Sequence, residues 1–432
     1  MSDRYISSEE LLQRSLKTIP LGTQTYSKSK THYPYGVSPY FITHGQGSHV
    51  WDVDGHEYID FVNALTAITL GYNDPDVNQA VIEQMTKGTI FSLPHPIEIE
   101  VAEKIVEMVP GAEMVRFGKN GSDATSAAIR LARAYTKRDR IARCGYHGWH
   151  DWYIGSTSKH LGIPEVVREL THSFSYNNID SLEQIFQQYP DQIAAVILEP
   201  MNIVEPQPGF LEQLKEITHE QGAILIFDET ITGFRFAQGG AQEYFNVIPD
   251  LATFGKGLAN GFPLSAITGR AEIMALMEEV FFSFTFGGET LSLTAALTTM
   301  NKLQREPVIE TMTQQGNKVL EGVKNLIKQH NIEHILSVSG HPVWSFILFK
   351  EVSPYSQYQI KTLFLQEMFI RGILTIGTHN MSYAHQDKDI ARLLTAYQEV
   401  FSIIDDAVNN CVLEKYLQCQ PLEPLFKGMS RN

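Results

Sequence analysis

Three short apolar runs, Ala194–Leu198, Ala223–Phe227 and Leu251–Phe254, recur along the chain with helical spacing between them, most clearly over Leu211–Glu220. A strand that is apolar throughout must be covered on both faces. Such strands alternating with amphipathic helices define a parallel or mixed sheet layered by helices, an α/β fold. Upstream, helical periodicity is carried by Asp76–Thr86 and by Glu98–Val109, which Pro110-Gly111 stops. Residues 40–60 differ, because β-branched and apolar positions broken by Gly-Gln-Gly and Asp-Gly predict a short β-meander. From about Pro307 the pattern becomes helix–strand–helix and ends in an amphipathic helix over Asp387–Asn409. The expected organisation is a large domain over 66–305 and a smaller domain made from the segments 1–65 and 306–432.

Composition narrows the class. The 432 residues are 43% hydrophobic, enough to build a large core without disulfide staples. Against 49 acidic residues stand 34 basic ones, a net charge of −15. That balance repels phosphate backbones and anionic lipid, so neither nucleic acid nor a membrane surface is an expected partner. The three cysteines, Cys144, Cys411 and Cys419, form no CxxC pair, which fits a reducing compartment. The opening residues lack the apolar stretch of a secretory signal. No apolar run approaches the roughly 18–20 residues of a spanning helix. A cytoplasmic location is expected.

In α/β sheets ligands collect at the carboxyl ends of strands, so Glu199, Asp228, Glu229 and Lys256 draw attention. Lys256, in Gly255-Lys-Gly257, follows a buried strand directly. Desolvation there would lower its pKa and make the amine a nucleophile for Schiff-base chemistry; the alternative is a solvated loop lysine. Asp228 could bind metal, act as a base or pair with a cationic ring nitrogen, or simply close an Asx turn. Gly121-Ser122-Asp123 opens an Ala-rich helix whose free N–H groups and hydroxyl could cradle an anion, provided Asp123 points elsewhere; an ordinary N-cap is the alternative. Cys144-Gly-Tyr146-His147-Gly-Trp149-His150 could be a stacking platform, plain aromatic packing, or a zinc site through Cys144, His147 and His150, for which no fourth ligand is evident. Together, a Schiff-base lysine, a strand-end aspartate, a phosphate cradle and a stacking ring are the four parts needed to hold pyridoxal phosphate.

These motifs resemble those of the class III, fold-type I pyridoxal-phosphate aminotransferases, in the glutamate-1-semialdehyde aminomutase-like branch. The shared elements, in the family's order, are Trp51–Asp60, Gly121-Ser122-Asp123, Tyr146-His147-Gly148, Phe227–Arg235, Phe254–Gly257 and Phe284–Gly288. The resemblance implies a large domain with a mostly parallel seven-stranded sheet, plus a small α+β domain from both chain ends. It implies pyridoxal 5′-phosphate as cofactor and no resident metal. Lys256 would carry the Schiff base and move the proton, Asp228 would pair with the pyridine nitrogen, and Tyr146 would stack on the ring. Gly121 and Ser122 would bind the phosphate, and Glu199 would support the ring pocket. Thr285 would reach the phosphate of the neighbouring subunit, implying a homodimer with shared active sites. Many members grip a donor carboxylate with a C-terminal arginine, yet Thr375–His385 contains none. The aminomutase branch uses an N-terminal arginine instead, and this chain has Lys28 and Lys30 there, which lack the bidentate fork. That departure argues against glutamate-1-semialdehyde as substrate. Lys28, Lys30, His379, Asn380 and Ser382 are candidate substrate contacts. The expected activity is transfer of an amino group between a donor and a small polar aldehyde or ketone. An aminomutase or amine-eliminating lyase on the same scaffold is the alternative, and a zinc hydrolase a distant one.

Overall fold

The structure, a computed structural model, describes residues 3–425. Residues 1–2 and 426–432 of the expected terminal segments lie outside the described residues. Two compact units account for the chain: residues 3–74 with 310–425, and residues 75–309.

In the 75–309 unit, seven strands form one sheet in the order Met114–Gly118, Ser265–Gly269, Leu251–Phe254, Ile224–Asp228, Ile193–Leu198, Arg140–Cys144, Thr171–Ser173. Only Ser265–Gly269 runs antiparallel to its neighbours. The three apolar runs are its central strands, buried at every residue. Their side chains alternate between two cores. Ile197 and Ile226 pack with Ala127, Ala128 and Leu131 of the helix Gly121–Thr136. Val196, Leu198, Leu225 and Phe227 pack with Leu182 and Phe186 of Ile179–Gln188 and with Leu211 and Leu214 of Phe210–Glu220. Helices on both faces explain why these strands carry no polar stripe. The predicted Glu98–Val109 helix begins earlier, at Pro96, and ends at Met108. Proline suits the first turn, where an N–H has no partner to lose, and His95 and Glu98 close a capping box around it.

In the other unit, the meander consists of Ile42–Gln46, His49–Asp52 and Glu57–Asp60, joined by tight turns in which Gly47 and Gly55 take positive φ. Ile373–Leu374 adds a parallel fourth strand. A separate antiparallel sheet pairs Leu336–His341, Trp344–Phe349 and Thr378–Asn380. The last long helix spans Asp387–Asn409 and buries one face. Among the described residues no helix is long and apolar enough to cross a membrane.

Candidate active site

Five parallel strands of the seven-stranded sheet end where the chemistry-bearing residues begin. Gly118 leads to the Gly121 helix, Cys144 to Tyr146 and His147, and Leu198 to Glu199; Asp228 closes its own strand, and Phe254 leads to Lys256. This is the edge where α/β sheets collect ligands.

Asp228 is buried and saturated with donors. Thr230 N, Thr230 Oγ1 and Thr253 Oγ1 donate to Oδ1 at 3.1, 2.6 and 3.1 Å, and His147 Nδ1 donates to Oδ2 at 2.8 Å. Desolvation pushes its pKa up, but the His147 and Thr230 bonds more than reverse this, so it lies below the usual value. His147 Nε2 lies 3.0 Å from the Cys144 carbonyl oxygen, an obligate acceptor. Both ring nitrogens therefore face acceptors.

Glu199 is buried, and its Oε2 accepts from Tyr146 N at 3.0 Å and Asn202 Nδ2 at 2.7 Å. Desolvation raises its pKa, against the pull of His147. Tyr146 is 53% exposed, and its ring makes an edge-on contact to Tyr153. Lys256 is partly buried and has φ +42, a left-handed conformation uncommon for a side-chain-bearing residue. Desolvation lowers its pKa and Arg235 adds to that, while Glu199 and Asp228 favour its charge. Backbone strain and a desolvated amine together are typical of a functional lysine.

Gly121 and Ser122 begin the helix Gly121–Thr136. Asp123 turns its carboxylate back to accept from Asn120 N at 2.7 Å and Lys119 N at 3.1 Å. The first-turn N–H groups are thus not blocked by an acid. A Cβ on Gly121 would crowd the Thr230 side chain at 3.0 Å, and the same Thr230 lines Gly255 beside Lys256. One residue therefore ties together the helix start, Asp228 and the lysine loop.

Of the other expected site residues, Thr285 lies exposed on the loop between Phe281 and Gly288. His379, in the other unit, is fully buried, with Nδ1 2.9 Å from Ser345 Oγ and Nε2 2.6 Å from Tyr397 OH. Asn380 Nδ2 donates to Val62 O, and Ser382 Oγ lies 3.1 Å from His385 Nδ1. Lys28 and Lys30 are exposed. Cys144, His147 and His150 do not converge: His147 turns to Asp228, and His150 Nδ1 meets Ser126 Oγ at 2.6 Å. Among the described residues no group of three or more His, Cys, Asp or Glu is gathered to hold a metal. Glu229, also singled out in the sequence, anchors a turn by accepting from Ala241 N, Gln242 N and Thr232 Oγ1.

The partners of Asp228, namely His147, Thr230 and Thr253, are additions that sequence reasoning did not supply. Only the Asp-x-Thr spacing of an Asx turn hinted at Thr230.

The residues present suit a phosphorylated pyridine aldehyde: a lysine amine, an ionised carboxylate for a ring N–H, and a helix start kept clear of acid. That combination defines a pyridoxal-phosphate enzyme of fold type I. The particular family follows from comparison: residues 32–386 match the class III aminotransferases, and the chain belongs to that family. Its cofactor is pyridoxal 5′-phosphate, and it is a transaminase of that class. The chain is 35% identical to the 3-aminobutyryl-CoA aminotransferase of Cloacimonas acidaminovorans, over 91% of this chain and 96% of that protein. It is also 35% identical to a glutamate-1-semialdehyde 2,1-aminomutase 2 of Exiguobacterium sp., over 94% and 99%. Among solved structures it is similar to an omega-transaminase from Sphaerobacter thermophilus, with TM-score 0.84 and 29% identity over 92% of this chain and 98% of that one. It is likewise similar to the PLP internal aldimine form of the FumI protein of Sphingopyxis sp., with TM-score 0.86 and 28% identity over 96% and 98%.

Proposed function

We propose that the protein moves an amino group between a small amino donor and the aldehyde or ketone of a small polar substrate, sugar-like or anionic. The observation that carries this reading is the placement of Lys256 and Asp228 at the ends of adjacent strands, with four donors turned onto Asp228. When bound, pyridoxal phosphate supplies an electron sink for the substrate's α-carbon. Gly121 and Ser122 hold its phosphate through N–H groups and a hydroxyl. Tyr146 covers the ring, Glu199 supports the pocket by fixing the Tyr146 backbone, and Asp228 accepts the ring N–H. Lys256 would hold the cofactor through its Nζ and, once displaced by the donor amine, would serve as the base that holds and moves the substrate's proton. Its lowered pKa favours the neutral amine that such a base needs. Lys28 and Lys30, which are exposed, remain candidates for substrate contact, whereas His379, Asn380 and Ser382 are buried against their own unit.

The protein works as a homodimer in the cytoplasm, with Thr285 of each chain serving the partner's site. An exposed apolar group on the 75–309 unit supports the dimer: Leu93 and Phe281, each 79% exposed, with Phe91 and Phe286.

The test is a single-turnover panel of amines and amino acids watched through the cofactor's visible absorbance. A transaminase releases a carbonyl product and keeps the nitrogen. Release of free ammonia would overturn the proposal in favour of a lyase. Rearranged amine would favour an aminomutase, a second reading that the similarity to the Exiguobacterium protein supports.

A further inference from the structure

Tyr146 is half-exposed, with its ring edge-on to Tyr153, so its placement leans on its backbone, and that backbone is fastened from two sides. On the sheet side, Glu199 Oε2 accepts from Tyr146 N, and the His147 ring spans Asp228 and the Cys144 carbonyl. On the helix side stand three hydroxyls of one face, at positions 122, 125 and 126. Trp149 N donates to Ser122 Oγ at 3.2 Å, and Thr125 Oγ1 donates to His147 O at 3.0 Å. Ser126 Oγ lies 2.6 Å from His150 Nδ1 and accepts from Trp152 Nε1 at 3.0 Å. Gly145 and Gly148, at φ +101 and +100, bracket the segment and let it lie flat on the helix, where a Cβ on Gly148 would overlap the Ser122 side chain.

We infer that Thr125 and Ser126 are positioning residues that act through this loop to set Tyr146 over the cofactor ring. They do not touch the cofactor themselves. The inference rests on the proposed roles of Ser122 and Tyr146, with which it shares the loop. Because Trp149 N–H occupies an acceptor position on Ser122 Oγ, the Ser122 proton remains available to an anion. Phosphate binding and ring stacking are thereby separable, since the first uses the helix start and the second the loop that the next turn holds.

The experiment measures affinity of the cofactor-free full-length protein for pyridoxal phosphate and, separately, for inorganic phosphate as competitor. Thr125→Val keeps shape and removes the hydroxyl, and Thr125→Ser restores it. The expected result is a threefold to tenfold loss of pyridoxal-phosphate affinity in Thr125→Val, the usual range for one hydrogen bond. Phosphate affinity should hold, and Thr125→Ser should recover the loss. Ser126→Ala should behave like Thr125→Val. Unchanged pyridoxal-phosphate affinity, or equal losses for both ligands, would overturn the inference. If wild-type protein does not bind phosphate in competition with pyridoxal phosphate, the cradle assignment itself fails, which is a different outcome.

Discussion

At the scale of single residues, the arrangement around Asp228 makes a sharp distinction between its two oxygens. Oδ1 already accepts three donors, whereas Oδ2 accepts one, so a ring N–H can be received only at Oδ2, beside His147. Asp228→Asn replaces an ionised acceptor with a neutral amide. Turnover should fall by about two orders of magnitude or more, while Lys256 still forms a reducible linkage to the cofactor. Borohydride trapping followed by mass spectrometry checks the second half. Glu229, next in sequence, should respond differently. Its buried carboxylate accepts four donors, one from Thr232 and three from Ala241 and Gln242 at the start of the next helix, so Glu229→Leu strands them and should cost about 2–4 kcal/mol in a denaturant titration. Lys256 and Asp228 were legible in the sequence because an apolar run of fixed length must end somewhere, and polar residues at that end stand out. His147 and Thr253 were not legible as partners, because they leave other strands and only the sheet order brings them to Asp228, while Thr230, two residues on, was hinted at only by its local spacing.

Elements show the same contrast between local and non-local information. The central strands, the meander and the last helix follow periodicity and turn residues, and lie within a residue or two of where the sequence puts them. The left-handed stretch Asn63–Thr66, with φ from 46 to 71, does not, since no glycine advertises it. Asp60 holds its start by accepting from Val62 N and Asn63 N. Such conformations persist only when surrounding bonds over-determine them. Between the meander and the last helix, His49 pairs with Asp389 at 3.2 Å and with Glu57 at 2.7 Å. The Asp389 bond is the chief reason the His49 pKa is raised. The folded protein thus holds this proton more tightly than the unfolded chain, so the stabilisation is complete below the ordinary value of about 6.5 and fades as pH rises through the raised one. For Asp389, desolvation is outweighed by the His49 bond and its other donors, giving a pKa of about 2, so its contribution is lost only as pH falls toward that value. Melting temperature should therefore decline as pH rises above about 6.5, and His49→Gln should flatten that part of the profile. A third element-level expectation concerns Gly148: Gly148→Ala must push the Tyr146 loop off its helix, and visible cofactor absorbance should drop at sub-saturating cofactor.

For the whole molecule, the proposed sharing of sites between two chains has a quantitative consequence. Lys256→Ala and Thr285→Ala chains are each defective as homodimers. Refolded together in equal amounts, half of the dimers are mixed, and each mixed dimer carries one intact site. About a quarter of wild-type activity should therefore return. Absence of recovery, with mixed dimers verified by mass, would place Thr285 in its own chain's site or in none. The sheet that positions the site also dictates when the site comes into being. Its working residues leave separate strands from Gly118 to Lys256, and neighbours in the sheet are joined through long crossovers. A nascent chain can form the individual helices early, but the cavity has no floor until the distant pairings have closed, and such pairings are slow. Ligand capture should therefore mark the end of refolding: in stopped-flow mixing, far-ultraviolet ellipticity should recover well before the bound chromophore appears, and any species trapped in between would carry helices, strands and no chemistry.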